Sequence, residues 1–409
     1  MFKKAEVVLI AIGLLFILLG AGFVDEDEVD LKMQWEKEFD KKIEEVAFGE
    51  TEDGKLYPKI VVFEDELRFY DETFELIKSW PRPRGTQVAV SEGGHYFGLN
   101  RVISKPATEK GPSEVEWTLY NDKYEELAAV EYSVGYDGEG GQVFFISNSD
   151  GAFVEAEPGD QKVVFYDSKG NMKKRIDLFE NDEWDMAKGM ECAFSQNDYY
   201  FALVGCNDYW EPQDQWQKDI YLIFFNSLGE ELWRRLVEKN GWVVSLSLSA
   251  KGNFILANGR SLFDRHGELV GTYTATWRHH KFSKDEKYLV LAGENTVCLV
   301  GTANGNILWS KEFPYQIDTR ARDWRWITHL DMSENGNLIA IITTLYKRRP
   351  GGYKVVYPTL ILLDNKGEKI FEREMRDQQV EVSVRLTPDG SEAYLGMPRG
   401  LAKFSLKQK

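Results

Sequence analysis

From Lys41 onward the apolar positions fall in short runs cut by turn residues, with no sustained helical period. One phrase recurs: an apolar run, a turn, then a second apolar run with an aromatic residue or Leu near its start. Copies include LSLSAKGNFILANG, HKFSKDEKYLVLAG, LDMSENGNLIAIIT and VRLTPDGSEAYLGM. A second phrase follows most copies of the first, as in SLFDRHGELVGTY, VCLVGTANGNILWSKEF, LILLDNKGEKIFERE and LIFFNSLGEELWRRL. Both read as β-hairpins, whose turns carry Gly, Asn and Asp because tight turns need positive φ. Joined, the two phrases make a four-stranded antiparallel unit recurring roughly every 36 to 57 residues, the pattern of a β-propeller blade.

Units start near Lys41, Arg84, Gly141, Lys188, Trp242, Arg278, Trp326 and Gln379, which predicts an all-β, eight-bladed propeller. The last unit has a hairpin and a third strand, GLAKFSL, but no outer strand. MQWEKEFD (Met33–Asp40) has the spacing of ILWSKEF, with Trp35 and Phe39 matching Trp309 and Phe313. The N-terminal segment is therefore expected to pair with Leu401–Leu406 and close the ring, which removes an exposed sheet edge.

VGTANGNILWSKEF and FFNSLGEELWRRL resemble the repeat of the quinoprotein-like (PQQ-like) propellers, whose outer hairpin reads roughly Asp, turn, Gly, Trp, within the wider WD40-like β-propeller repeat superfamily. The sole Trp-Asp pair, Trp184-Asp185, falls in a connection, unlike the WD-repeat pattern. Quinoprotein dehydrogenases of that resemblance carry adjacent cysteines at their cofactor, whereas Cys192, Cys206 and Cys298 are dispersed. The resemblance thus implies a noncatalytic member without a cofactor. No nucleophile elbow, zinc-protease motif or phosphate-binding Gly-rich loop is present. A turn near Asn197 would set Cys192 opposite a residue near Ala202 and leave Cys206 past the pairing, so spacing alone leaves a disulfide between them open.

Two basic residues, Lys3 and Lys4, precede an uninterrupted apolar run from Val7 to Val24, and DEDEVD (Asp25–Asp30) follows it. Eighteen helical residues would measure about 27 Å, near the hydrocarbon thickness of a bilayer. The run reads equally as a cleaved export signal, with Gly20-Ala21-Gly22 as its cleavage region, or as an inner-membrane anchor. The flanking charges place the rest outside the cytoplasm, in the periplasm or its equivalent. The expected division is 1–24 signal or anchor, 25–32 acidic spacer and 33–409 propeller. A formal charge of -17 disfavours nucleic acid as a partner.

In a propeller blade the first-to-second and third-to-fourth turns share one face. Second-to-third and blade-to-blade connections share the other. Here the turns of the first class are short, and the second class holds the long insertions, among them CNDYWEPQDQWQKD, IDTRARDWRWIT and YKRRPGGYKVVYPT. Long connections on one face of a rigid scaffold are where binding usually resides. The late ones carry Arg278, Arg325, Arg348 and Arg349 in a basic sector, whereas those around the fourth blade are acidic. Trp210, Trp216, Trp277, Trp324 and Trp326 are interleaved with both, and Trp with Arg is the composition of interface anchors. These nine residues are the candidate partner-binding set, for a protein or peptide of acidic character. The rival reading is an enzyme acting on an extracellular glycan, with stacked tryptophans and a carboxylate pair. His279 and His329 occupy equivalent positions in adjacent units, with Glu191 the equivalent in the fourth; repeat symmetry accounts for this, and no metal is expected.

Overall fold

A computed structural model describes residues 29–408 apart from 52–54, 83–87, 92, 105–112, 135–142, 148, 158–161, 179–189, 212–214, 240, 242, 244, 275–276, 314–315, 319–322, 350–351 and 376–381. The leader run, Trp184, Trp242, Arg320 and Arg322 therefore lie outside the described residues. Eight antiparallel sheets make up the fold, and among the described residues no helix is long and apolar enough to cross a membrane.

Blade 1 comprises Ile43–Glu50, Leu56–Phe63, Glu66–Tyr70 and Leu76–Pro81, hydrogen-bonded in that order. The same consecutive order holds in blades 2 to 6, and the first strands of successive blades, from Val88–Val90 of blade 2 to Ser383–Leu386 of blade 8, adjoin one another. First strands therefore ring the axis, and fourth strands form the rim. Blade 7 departs from the expected plan: Gln316–Asp318 pairs with the first strand, Asp323–Met332, and makes a five-stranded sheet. The sequence read that segment as a plain connection.

One small device builds the first hairpin seven times. Ser91, Ser147, Ser195, Ser249, Ser283, Ser333 and Thr387 are all buried at its start. In blade 6 the Ser283 hydroxyl accepts from the Tyr288 amide at 3.0 Å and donates to Asp285 at 2.7 Å. Blades 4, 7 and 8 repeat the pattern through Ser195, Ser333 and Thr387. A hydroxyl can both donate and accept, so it satisfies the tight turn without water. The outer hairpins use an Asp or Asn instead: the Asp364 carboxylate accepts from the amides of Lys366 and Glu368, and a bulge follows at Leu362/Leu363.

Blades are locked to one another by rim tryptophans. The Trp309 indole N–H of blade 6 donates to the Asn365 carbonyl of blade 7 at 2.9 Å, and the Trp233 indole of blade 4 donates to Arg265 of blade 5 at 2.8 Å. A Cβ on Gly367, whose φ is +81°, would lie 2.8 Å from the Trp309 ring, so glycine permits the approach.

The N-terminal strand closes the ring as expected. Val29–Glu38 pairs antiparallel with Gly400–Gln408 and completes blade 8. Trp35 stacks on Phe74 of blade 1 with ring centroids 4.7 Å apart, the counterpart of the Trp309 latch. The Phe39 amide donates to Arg399 O at 2.8 Å, as the Phe313 amide donates to Asn295 O at 2.7 Å. Pairing starts at Val29, four residues before the match to the repeat begins at Met33. Blades 8 and 1 then meet through Tyr394, whose hydroxyl donates to Leu56 O at 2.6 Å.

Candidate functional site: the long-connection face

Three second-to-third hairpins are long on this face. In blade 4 the strands Tyr200–Glu211 and Gln215–Asn226 pair from Tyr200↔Asn226 to Glu211↔Gln215, and among the described residues pairing with the first strand runs from Phe194↔Phe201 to Met190↔Gly205. The fourth strand pairs as far as Ile220↔Glu238, so among the described residues Asn207–Glu211 and Gln215–Asp219 continue beyond it as a paired arm. In blade 7 the strands Leu338–Arg349 and Gly352–Asp364 pair three positions past Trp324↔Tyr346, the last pair with the first strand, and in blade 2 Tyr96–Ser104 and Ser113–Asn121 form a long hairpin that the fourth strand accompanies as far as Ser113↔Val134. The sequence treated these stretches as loops. Their charges and Gly/Pro content hide an alternation that backbone pairing reveals.

The candidate residues distribute over this framework. Trp210 and Trp216 face each other across the blade 4 arm, next to its turn. Arg348 pairs with Tyr353 and Arg349 with Gly352 at the tip of the blade 7 arm, and Trp324 pairs with Tyr346 lower down. The side chains of Trp210, Trp216, Trp324, Arg348 and Arg349 lie outside the described residues. Trp326 lies 5.8 Å from Tyr346, ring to ring, and Arg325 sits 6.0 Å over the Tyr357 ring with Glu374 at 3.9 Å. Arg278 is exposed, while its neighbour Trp277 is buried in a cluster with Leu256, Leu262, Tyr273 and Phe282. The Trp277 ring thus serves packing between blades 5 and 6, as large aromatics usually do. Blades 4 and 7 carry these positions on their second-to-third hairpins.

The axis holds a second set of polar groups. One cavity of about 570 Å³ is lined by Glu45, His329, Arg385 and Tyr394, and a second of about 320 Å³ by Glu45, Val88, Phe145 and Phe194. Burial raises the pKa of Glu45, with the Arg82 charge opposing it, and burial raises that of Glu191. His279 and His329 lie 6.1 Å apart, ring to ring. Burial lowers the His279 pKa, helped by the His329 and Arg278 charges. Among the described residues no group of three or more His, Cys, Asp or Glu side chains is arranged to hold a metal ion. No tryptophan of the described residues lines either cavity.

Sequence reasoning missed the axial ion network. Buried Asp331 of blade 7 is the partner of Lys281 from blade 6, accepts from the Leu386 amide of blade 8 at 2.6 Å, and has Arg385 at 3.9 Å. Lys281, Asp331 and Arg385 each lie two residues before the hairpin hydroxyl of their blade, so alignment of the repeats carried the signal. Cys192 pairs across from Leu203, one residue from the position expected, and its thiol is free.

No family model matches this sequence, and no curated protein is similar to it in sequence. The fold has solved counterparts. The crystal structure of the C-terminal WD40 domain of Sif2 superposes with a TM-score of 0.57, covering 94% of this chain and 100% of that one at 12% identity. A crystal structure of a eukaryotic initiation factor matches at a TM-score of 0.49 and 11% identity, over 83% of this chain and 90% of that one. The fold defined by the sheets and their closure is an eight-bladed β-propeller, similar to that of the WD40 domain.

Proposed function

We propose that this protein is an exported or membrane-anchored, noncatalytic propeller of quinoprotein-like ancestry that binds a protein or peptide through its long-connection face. The observation that carries this reading is the pair of arms on blades 4 and 7, one bearing the Trp210–Trp216 pair and the other Arg348 and Arg349 at its tip. Strand-paired arms on a closed ring are preorganised, so little conformational entropy is lost on binding. Arginine beside Trp and Tyr suits an acidic partner surface.

The test is affinity capture from solubilised membranes, followed by binding kinetics with the captured partner. Arg348→Glu with Arg349→Glu is expected to slow association and flatten its salt dependence at unchanged melting temperature. Trp210→Ala is expected to speed dissociation. If substitutions in the short turns, such as Lys251→Glu or Lys366→Glu, abolish binding while the arm variants do not, the opposite face is the binding face.

A further inference from the structure

The N-terminal strand fixes more than ring closure. Val29 pairs with Gln408, and nearby Leu406 donates its amide to Ser391 O at 2.7 Å, in the first hairpin turn of blade 8. The chain therefore enters the propeller on the short-turn face. It crosses the full depth of the ring and reaches the long-connection face only at Phe39, whose amide meets Arg399 O. The crossing strand, Val29–Glu38, has 10 residues, which is about 30 Å of extended chain.

Between the last apolar residue of the leader run, Val24, and Val29 stand only Asp25, Glu26, Asp27 and Glu28. Even fully extended, that connection spans about 17 Å. This is too short to climb the ~30 Å depth of the ring. A leader run retained in the bilayer would hold the short-turn side of blade 8 near the membrane surface, and the long-connection face could not be turned toward it. A second observation lies beside the entry point. Leu76 and Ile77 on the adjoining rim of blade 1 are 52% and 60% exposed. Leu76 and Ile77 directly follow the short outer turn of blade 1, so these apolar side chains border the corner that the anchor would draw down.

We infer that the corner of the short-turn face formed by blades 8 and 1 rests against the lipid headgroups, so that the long hairpins of blades 2, 4 and 7 are presented away from the bilayer. The inference rests on the reading of Val7–Val24 as a retained anchor. It adds to that reading a direction: the partner approaches from the side opposite the membrane.

The experiment uses the full chain reconstituted in phosphatidylcholine vesicles carrying a headgroup-linked energy acceptor. A donor is attached at Glu72→Cys, in the outer turn of blade 1, or at Arg399→Cys, on the opposite face of blade 8, in a Cys206→Ala background. Both positions are exposed, and Cys192 and Cys298 are buried. Transfer from position 72 is expected to exceed that from position 399 by about twofold or more, as a separation near the ~30 Å strand length requires. Equal transfer, or greater transfer from position 399, in chain that resists alkaline carbonate extraction overturns the orientation alone. Release by carbonate overturns the anchor reading and the orientation with it.

Discussion

Asp331 shows how one side chain joins three blades. Its carboxylate is buried and held by Lys281, the Leu386 amide and, more distantly, Arg385. Removing one partner of a buried pair leaves a charge without compensation, so Asp331→Ala is expected to cost about 3 kcal/mol in chemical denaturation. Combining it with Lys281→Met should recover part of that loss in a double-mutant cycle; strict additivity would show that the pair is not coupled. Histidine gives the second residue-scale expectation. Both ring nitrogens of His280 are buried without a hydrogen-bond partner, and burial holds its pKa down at about 4, against an ordinary 6.5. The unfolded chain therefore takes up the proton first. His280 favours the fold fully above pH 6.5, and that contribution is lost as pH falls toward 4. Glu45 and Glu191 act with the opposite sign, since burial raises their pKa and acid relieves them. The melting temperature should fall between these pH values less steeply in His280→Leu than in the parent. Parallel curves would refute this. At the Trp latch, Gly367→Ala meets both a φ of +81° and the Trp309 ring, and is expected to lower stability by about 1 to 2 kcal/mol.

Among the elements, the N-terminal strand has the greatest leverage. It supplies the rim of blade 8, the Trp35–Phe74 stack and the Phe39 contact with blade 1, all from the far end of the chain. A chain starting at Lys41 would leave Gly400–Gln408 as an open edge and strip Trp35 and Phe39 from the seam. It is expected to aggregate, or to melt well below a chain starting at Asp25, in scanning calorimetry. Equal melting temperatures would mean that the strand decorates the ring without closing it. The arms behave differently. The blade 4 arm continues beyond Ile220↔Glu238, the last pair with the fourth strand, so shortening it by removing Tyr209–Trp216 should leave the melting temperature nearly unchanged while weakening partner binding.

At the scale of the whole molecule, a net charge of -17 coexists with cations gathered at the tip of one arm. Long-range repulsion then opposes the approach of an acidic partner everywhere except at that sector, and salt screens both effects within about 10 Å at 0.1 M. Association of the parent protein with its captured partner should therefore slow as ionic strength rises. An association rate independent of salt would assign recognition to apolar contacts alone.

The sequence by itself determined the repeat, the number of blades and the closing strand. Each rests on local grammar: period-two apolar runs, turn residues able to take positive φ, and the Trp-x-x-x-Phe spacing shared by Met33–Asp40 and Ile307–Phe313. The hairpin hydroxyls were equally legible, since a Ser or Thr recurs at one place in the phrase. The tertiary structure decided what depends on pairing between segments far apart or between blades. It turned apparent loops into strand-paired arms, because backbone hydrogen bonds hold charged and Gly-containing stretches that no apolar pattern marks. It buried Trp277 while leaving Arg278 exposed, because one residue in the connection tucks under blade 6 and the next emerges. It gathered Lys281, Asp331 and Arg385 at the axis, where a buried charge persists only because neighbouring blades supply its partners.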